Sequence, residues 1–196
     1  MPLQDRILGH FQASAQATLD AAERLAPLID EASGLMLNCL TQGGKILACG
    51  NGASAANSQV FASQMVNRFE EERPGLAAIA LAADTSVLTS IADDHPFDQV
   101  FARQVKAIGL PGDVLLAMTT GGNAAGVLAA IDAAHGRGMN VIALTGRNAG
   151  ALAEQMRDGD VLISVSAESA ARINEIHLLS LHCLCDAVDS ILLGVE

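Results

Sequence analysis

Two short loops carry small polar residues whose types and spacing suit the binding of an anion. The first loop, residues 49–56, reads Cys-Gly-Asn-Gly-Ala-Ser-Ala-Ala, and the second loop, residues 119–123, reads Thr-Thr-Gly-Gly-Asn. Glycines let the backbone approach a ligand closely, and the N-terminus of a following helix offers free N–H groups to an anion. The candidate phosphate- or sugar-binding residues in these loops are Asn51, Gly52, Ala53, Ser54, Thr119, Thr120, Gly121 and Asn123.

Each loop also has a simpler interpretation as an ordinary turn from a strand into a helix. A serine, threonine or asparagine at such a turn often caps the helix and does nothing else, and Asn123 is well suited to cap the helix that follows it. Two such loops at equivalent places in one sheet favour an anion site over two unrelated turns. Phosphate is the natural ligand of this arrangement.

A regular change in hydrophobic rhythm predicts the elements that position these loops. Nearly continuous apolar runs of strand length alternate with helical segments, which is typical of a parallel sheet covered on both faces. The predicted strands are 45–49, 77–81, 113–118, 140–145 and 160–165, and the predicted helices are 54–69, 86–91, 97–108, 123–135, 149–157 and 170–192. We predict an α/β fold with a doubly wound parallel sheet, whose ligands bind beyond the carboxyl ends of the strands.

The N-terminal part of the chain has a different pattern. Residues 1–42 read as a helical arm that Pro27 is expected to kink or divide, and residues 43–196 read as the α/β sandwich. We expect the arm and the sandwich to form a single domain, residues 1–196. An amphipathic arm needs an apolar surface to pack on, so we also expect an oligomer.

Composition limits the classes of function. The net charge is −11 and aromatic residues make up only 3% of the chain, which argues against direct binding of nucleic acid. Asp5 and Arg6 stand where a signal peptide would have its apolar segment, and no apolar run approaches the ~20 residues of a membrane span, so we expect a cytoplasmic protein without membrane contact. The four cysteines are expected to be buried free thiols rather than disulfide or metal ligands.

Several longer motifs resemble a known family. They are residues 49–56, 67–81, 89–94, 111–123, 141–150 and 171–186, and together they span most of the chain. They resemble the sugar isomerase (SIS) domain family, and within it the bacterial group that contains phosphoheptose isomerase and the DnaA initiator-associating protein. The resemblance implies a five-stranded parallel sheet flanked by helices, and a homotetramer with its sites at subunit interfaces.

The resemblance also identifies where the isomerases of this group hold a zinc ion and a catalytic base. We call these places the isomerase positions, and here they are Val60, Gln64, Asn174 and His182. Valine binds no metal, and a glutamine cannot serve as the carboxylate base. Gln64 and His182 therefore stand at positions that are catalytic in the isomerases of the family, but we assign no catalytic residue in this chain. His182 is read as a packed histidine, with a catalytic role as the alternative.

These replacements lead to a functional prediction with two alternatives. We predict a non-catalytic, tetrameric adaptor that binds a DnaA-type initiator protein and promotes initiation of replication, without a cofactor. The first alternative is a phosphoheptose isomerase with an altered metal site, the one case in which zinc is expected. The second alternative is a module that binds a sugar phosphate without converting it.

Five residues are assigned from the resemblance or from their place in the chain. Leu192 and Leu193 match an apolar pair through which the adaptor contacts DnaA, although they equally well complete the apolar face of the last helix. Asp93 and Asp94 are candidates for contact with sugar hydroxyls, with a role at a helix end as the alternative. Asn174 is a candidate for sugar binding.

Overall fold

The apolar runs form one parallel sheet in the computed structural model, which describes residues 2–194. The strands are β1 (Ile46–Gly50), β2 (Ala78–Ala80), β3 (Val114–Met118), β4 (Asn140–Gly146) and β5 (Val161–Val165). Their order in the sheet is β2-β1-β3-β4-β5, and all neighbouring strands are parallel. The predicted α/β fold with a five-stranded parallel sheet is confirmed.

Seven α-helices surround the sheet. They are α1 (Leu3–Thr41), α2 (Ala53–Val66), α3 (Thr85–Asp94), α4 (Val100–Ile108), α5 (Ala125–Gly136), α6 (Gly150–Gln155) and α7 (Ala170–Leu193). The predicted helix 97–108 is in fact a 3₁₀ turn at Phe97–Gln99 followed by α4. The predicted helix 54–69 ends earlier, at Val66, because the chain turns there to reach β2.

Alternate residues of the central strands point into two separate cores. Ala48 and Leu116 face a core shared with α1, α2 and α7, whereas Leu47 and Leu115 face a core shared with α4 and α5. The helix after β1 therefore covers one face of the sheet, and the helix after β3 covers the other. The boundary between β1 and β3 is the switch point at which ligands bind in open α/β sheets.

The N-terminal arm is one continuous helix, and Pro27 does not divide it. Proline removes one backbone hydrogen bond, but burial of Leu25 and Met36 on either side keeps both halves packed on the same core. The beginning of α1 is different, because Leu3 and Phe11 are 73% and 70% exposed.

Helix α7 has the length and the apolar composition of a helix that could cross a membrane. The apolar runs of the sequence did not predict such a helix. Its contacts in the described residues are those of a core helix, because it packs against α1, α2 and the sheet. Buried Leu181 and Leu184 lie on its inner face. Length and composition alone are weak grounds for a membrane span.

Candidate functional site

The two predicted anion loops lie side by side at one edge of the sheet. β1 and β3 pair in register, with Gly50 opposite Met118, so both loops begin at the same level. A Cβ atom on Gly50 would lie 2.5 Å from the Ser54 Cβ and 2.7 Å from the Met118 carbonyl oxygen. Only glycine fits at that point, and this close approach brings the first loop against the second.

A polar cavity of about 180 Å³ opens between the loops. Its lining residues are Asn51, Ala53, Ser54, Thr119, Thr120 and Asn174. All six were predicted as phosphate- or sugar-binding residues, and none carries a charge. The cavity therefore offers hydroxyl, amide and backbone groups to a ligand.

The N-terminus of α2 borders this cavity, where Ala53 and Ser54 are lining residues. Gly52 precedes α2 with a φ of 57°, a left-handed conformation that glycine adopts without strain. Within residues 2–194, no side chain caps the first turn of α2. The Ser54 and Ala55 N–H groups donate instead to the carbonyl oxygens of Asn51 and Gly52, at 3.1 and 3.0 Å. The start of α2 therefore offers the cavity the positive end of its helix dipole.

The second loop contributes fewer side chains to the cavity than predicted. The Thr119 hydroxyl donates to the Gly121 carbonyl at 2.7 Å, so it is turned toward its own loop. Asn123 Oδ1 accepts from the Ala151 N–H at 3.1 Å, so this side chain binds the start of α6. The prediction that Asn123 caps the helix that follows it is wrong, because the nearest free N–H groups come from α6, a segment remote in sequence.

Asp93 and Asp94 do not join the cavity within one chain. Both are exposed at the end of α3, and Asp93 lines a separate shallow depression with Ser86, Thr89 and Ser90. Helix α3 follows β2, the edge strand, which places it away from the switch point. Gly52 and Gly121 lie in the loops beside the cavity but are not among its lining residues.

The isomerase positions lie on α2 and α7. Val60 is 38% exposed on α2. The Gln64 Oε1 accepts a weak hydrogen bond from the Cys185 thiol at 3.7 Å. Asn174 Nδ2 donates to the Ala170 carbonyl at 2.8 Å, and Asn174 Oδ1 is buried without a partner in the described residues.

His182 is half-buried against an aromatic side chain. Its ring lies 5.6 Å from the ring of Phe69, with the two planes tilted by 34°. Such a pair is a packing contact of modest strength. His182 stands about two helical turns beyond Asn174 on α7, and it is not among the residues that line the cavity.

His177 is a core histidine. It is completely buried, and its Nε2 lies 3.2 Å from the Thr145 carbonyl oxygen. Burial lowers the pKa of His177 to about 4, with the hydrogen bond to Thr145 opposing the shift. The imidazole is therefore neutral in the folded protein near neutral pH, and it ties α7 to the end of β4.

The acidic stretch at residues 70–72 predicts a solvated ion pair for Arg73, and that prediction is wrong. This side chain is only 7% exposed, and its Nε donates to Asp189 Oδ1 at 2.5 Å. Its other nitrogens donate to the carbonyl oxygens of Met65 at 2.8 Å and Gln64 at 3.0 Å. Arg73 thus joins the last turn of α2 to α7. The sequence feature that could have revealed this contact is Asp189, because a carboxylate within an apolar helix needs a buried partner.

Three of the four cysteines are buried, whereas Cys183 is exposed, contrary to the prediction. Burial raises the pKa of Cys49 to about 12 and, with nearby carboxylates, that of Cys185 to about 12. These two thiols remain protonated near neutral pH and are poor nucleophiles and metal ligands.

This chain is similar over nearly its whole length to proteins named phosphoheptose isomerase. The chain is 70% identical to a phosphoheptose isomerase from Thiobacillus denitrificans over 196 residues, which cover 100% of both chains. It is 48% identical to a solved phosphoheptose isomerase from Neisseria gonorrhoeae, with a TM-score of 0.92 over 96% of this chain and 100% of that chain. A phosphoheptose isomerase from Francisella tularensis has a TM-score of 0.94 and 43% identity, over 97% of this chain and 100% of that chain.

These similarities overturn the predicted function. The prediction of a non-catalytic adaptor for a DnaA-type initiator is wrong, because proteins similar over the whole length are named isomerases. A few replacements in a pocket change its ligand set without changing the scaffold, so they were insufficient grounds for a different function. The assignment of Leu192 and Leu193 to a DnaA contact loses its basis; both are about two-fifths exposed at the end of α7.

The resemblance seen in the sequence motifs holds at the level of the family. The SIS domain family matches residues 10–146, more than half of the chain, and this stretch includes β1, β3 and both loops. The fold and the polar cavity agree with that match. This chain belongs to the SIS domain family.

Proposed function

We propose that this protein is a phosphoheptose isomerase that interconverts sedoheptulose phosphate and its aldose-type isomer. The observation that carries the proposal is the polar cavity at the switch point, where the N-terminus of α2 meets hydroxyl-bearing side chains. The full-length similarity to proteins of that name supports this choice among sugar phosphates.

The phosphate group binds at the loops. The N-terminal end of α2 supplies a favourable dipole, and Ser54 and Thr120 supply hydroxyls. No lysine or arginine lines the cavity, so the dianion is held by hydrogen bonds rather than by ion pairs. This arrangement leaves the sugar chain to extend from the loops along α7.

Proton transfer requires a titratable group near the sugar. Aldose–ketose isomerisation removes a proton from one carbon and returns a proton to its neighbour. Gln64, at the family's base position, has no carboxylate to accept that proton. His182 is the one titratable side chain at the isomerase positions, so we assign proton transfer to it.

The same proposal includes a homotetramer. The first turns of α1 expose Leu3, Ile7, Leu8 and Phe11, which form an apolar face that a second copy of the chain would cover. We place this assembly in the cytoplasm, without membrane or nucleic-acid partners.

The direct test is turnover of sedoheptulose phosphate, followed by NMR of the sugar carbons. The wild-type protein is expected to form the aldose-type product, and His182→Ala is expected to lose about 10²–10⁴-fold in kcat. His10→Ala is the matched control, because the His10 side chain is exposed on α1 and is not among the residues that line the cavity. Absence of turnover in the wild-type protein would refute the proposal.

A second function has one observation in its favour. The cavity lining contains neither a carboxylate nor an imidazole, which suits a module that binds a sugar phosphate without converting it. Calorimetry separates the two functions. Binding of sedoheptulose phosphate without product formation would favour the binding module over the isomerase.

A further inference from the structure

The isomerase positions contain too few metal ligands for a zinc site. Protein zinc sites use imidazole nitrogen, thiolate sulfur or carboxylate oxygen, and three protein ligands at least. Val60 has no donor atom, Gln64 and Asn174 have only neutral carboxamides, and His182 alone has a ligand that zinc prefers. The residues present therefore do not fit the zinc ion that the family resemblance implies.

The carboxamides at these positions are also engaged with the protein. Asn174 Nδ2 is held by the Ala170 carbonyl of its own helix, at 2.8 Å. Gln64 Oε1 faces the thiol of Cys185, at 3.7 Å. Each side chain thus has one hydrogen-bond partner within the chain, and Asn174 Oδ1 has none among the described residues.

Neighbouring residues do not restore a ligand set. Asp189, the nearest buried carboxylate on α7, is paired with Arg73. The Cys185 thiol acts as a hydrogen-bond donor, and Cys183 lies on the exposed side of α7. Among residues 2–194, no three histidine, cysteine or carboxylate side chains are grouped so that they could hold a metal ion.

We infer that this protein binds its sugar phosphate without zinc, and that the carboxamide of Asn174, which lines the polar cavity, recognises a sugar hydroxyl. The inference rests on the proposed function for the identity of the ligand, but its statement about zinc does not. The buried Asn174 Oδ1, which lacks a partner in the described chain, supports the assignment, because a sugar hydroxyl would satisfy it after a small rotation.

Metal analysis of the full-length protein tests this inference independently of activity. After dialysis against zinc and then against buffer, the wild-type protein is expected to retain far less than one zinc ion per chain. The variant Val60→His, Gln64→Glu, Asn174→Gln returns an imidazole and a carboxylate to α2 and places a longer carboxamide on α7, beside His182. It is expected to retain about one zinc ion per chain and to gain thermal stability on zinc addition.

Two simpler variants keep the test decisive if the triple variant folds poorly. The double variant Val60→His, Gln64→Glu leaves α7 unchanged and is expected to bind zinc more weakly than the triple variant. Val60→Ala adds no ligand and is expected to behave as the wild-type protein. If the triple variant and the double variant both fold but neither binds zinc, the isomerase positions do not surround a common metal site, and the inference drawn from them is contradicted.

Stoichiometric zinc in the wild-type protein, lost in His182→Ala, would overturn the inference. Turnover measured on the same samples, with chelator present, separates this result from the proposed function. Turnover without zinc supports both. No zinc and no turnover supports the inference and refutes the isomerase, whereas zinc-dependent turnover supports the isomerase and overturns the inference.

Discussion

The loops at the ends of β1 and β3 differ from the isomerase positions on α2 and α7 in the chemical groups that they carry. The loops place hydroxyl and amide side chains around the polar cavity. The facing surfaces of α2 and α7 carry Val60 and Gln64 where the family's isomerases place a metal ligand and a base. Binding of a phosphate depends mainly on backbone geometry, whereas metal binding depends on side-chain identity, so the second is lost by fewer substitutions.

The largest expected effect concerns the ion pair that joins α2 to α7. Arg73→Ala leaves Asp189 buried without its partner and is expected to lower the free energy of unfolding by about 3–5 kcal/mol. Urea denaturation at a fixed protein concentration measures the loss. Arg68→Ala is the matched control, because the Arg68–Glu72 pair is exposed and is expected to contribute less than about 1 kcal/mol.

The double variant Arg73→Ala, Asp189→Ala sharpens this result. Removing both charges leaves no unpaired carboxylate, so it is expected to be less destabilised than Arg73→Ala alone. Equal destabilisation of the two variants would show that the hydrogen bonds to the α2 carbonyls, rather than the charge pair, hold the helices together.

The second loop offers a test of backbone packing. A Cβ on Gly122 would lie 1.7 Å from the Ala149 carbonyl oxygen, so Gly122→Ala is expected to cost about 3 kcal/mol of stability. The adjacent Gly121→Ala is the control, since nothing lies within 4 Å of the added Cβ. Its effect is expected to stay within about 0.5 kcal/mol. Equal effects in urea denaturation would contradict the close packing of this loop.

Acid pH is expected to destabilise the buried side of α7. Burial lowers the pKa of His177 in the folded protein to about 4. Between about pH 6.5 and 4, this histidine is therefore protonated in the unfolded chain but neutral in the folded protein. The contribution of His177 to the free energy of unfolding is therefore fully present above the pKa of the unfolded state, about 6.5. It falls by about 3 kcal/mol at most as the pH drops from about 6.5 to 4.

Denaturation curves at several pH values check this expectation. His177→Gln is expected to flatten the dependence between pH 6.5 and 4, whereas His10→Gln, at an exposed site, is expected to leave it unchanged. An unchanged slope in His177→Gln would assign the acid sensitivity to other groups.

The smallest expected effect is on phosphate binding at the first loop. Ser54 lines the cavity, so Ser54→Ala is expected to weaken binding of inorganic phosphate by about 1 kcal/mol, or roughly fivefold. Ser58 is the matched control, because it is buried one turn later and its hydroxyl donates to the Ala55 carbonyl. Calorimetry measures both, and an equal loss in Ser58→Ala would argue against a direct contact by Ser54.

Local patterns in the sequence were sufficient for the strands, the helices and the two loops. The apolar run predicted at 45–49 is β1 at Ile46–Gly50, and the run predicted at 113–118 contains β3. Strand and helix periodicity is a property of neighbouring residues, so it can be read along the chain. The parallel order of the sheet then required both loops to meet at one edge.

Contacts between distant residues were decided by the tertiary structure alone. Asn123 binds the start of α6, Arg73 is buried against Asp189, and Asp93 lies away from the cavity. None of these follows from spacing, because each partner is brought close by the packing of separate elements. The sequence by itself determined which chemical groups are present at the isomerase positions, and the fold determined which partners those groups have.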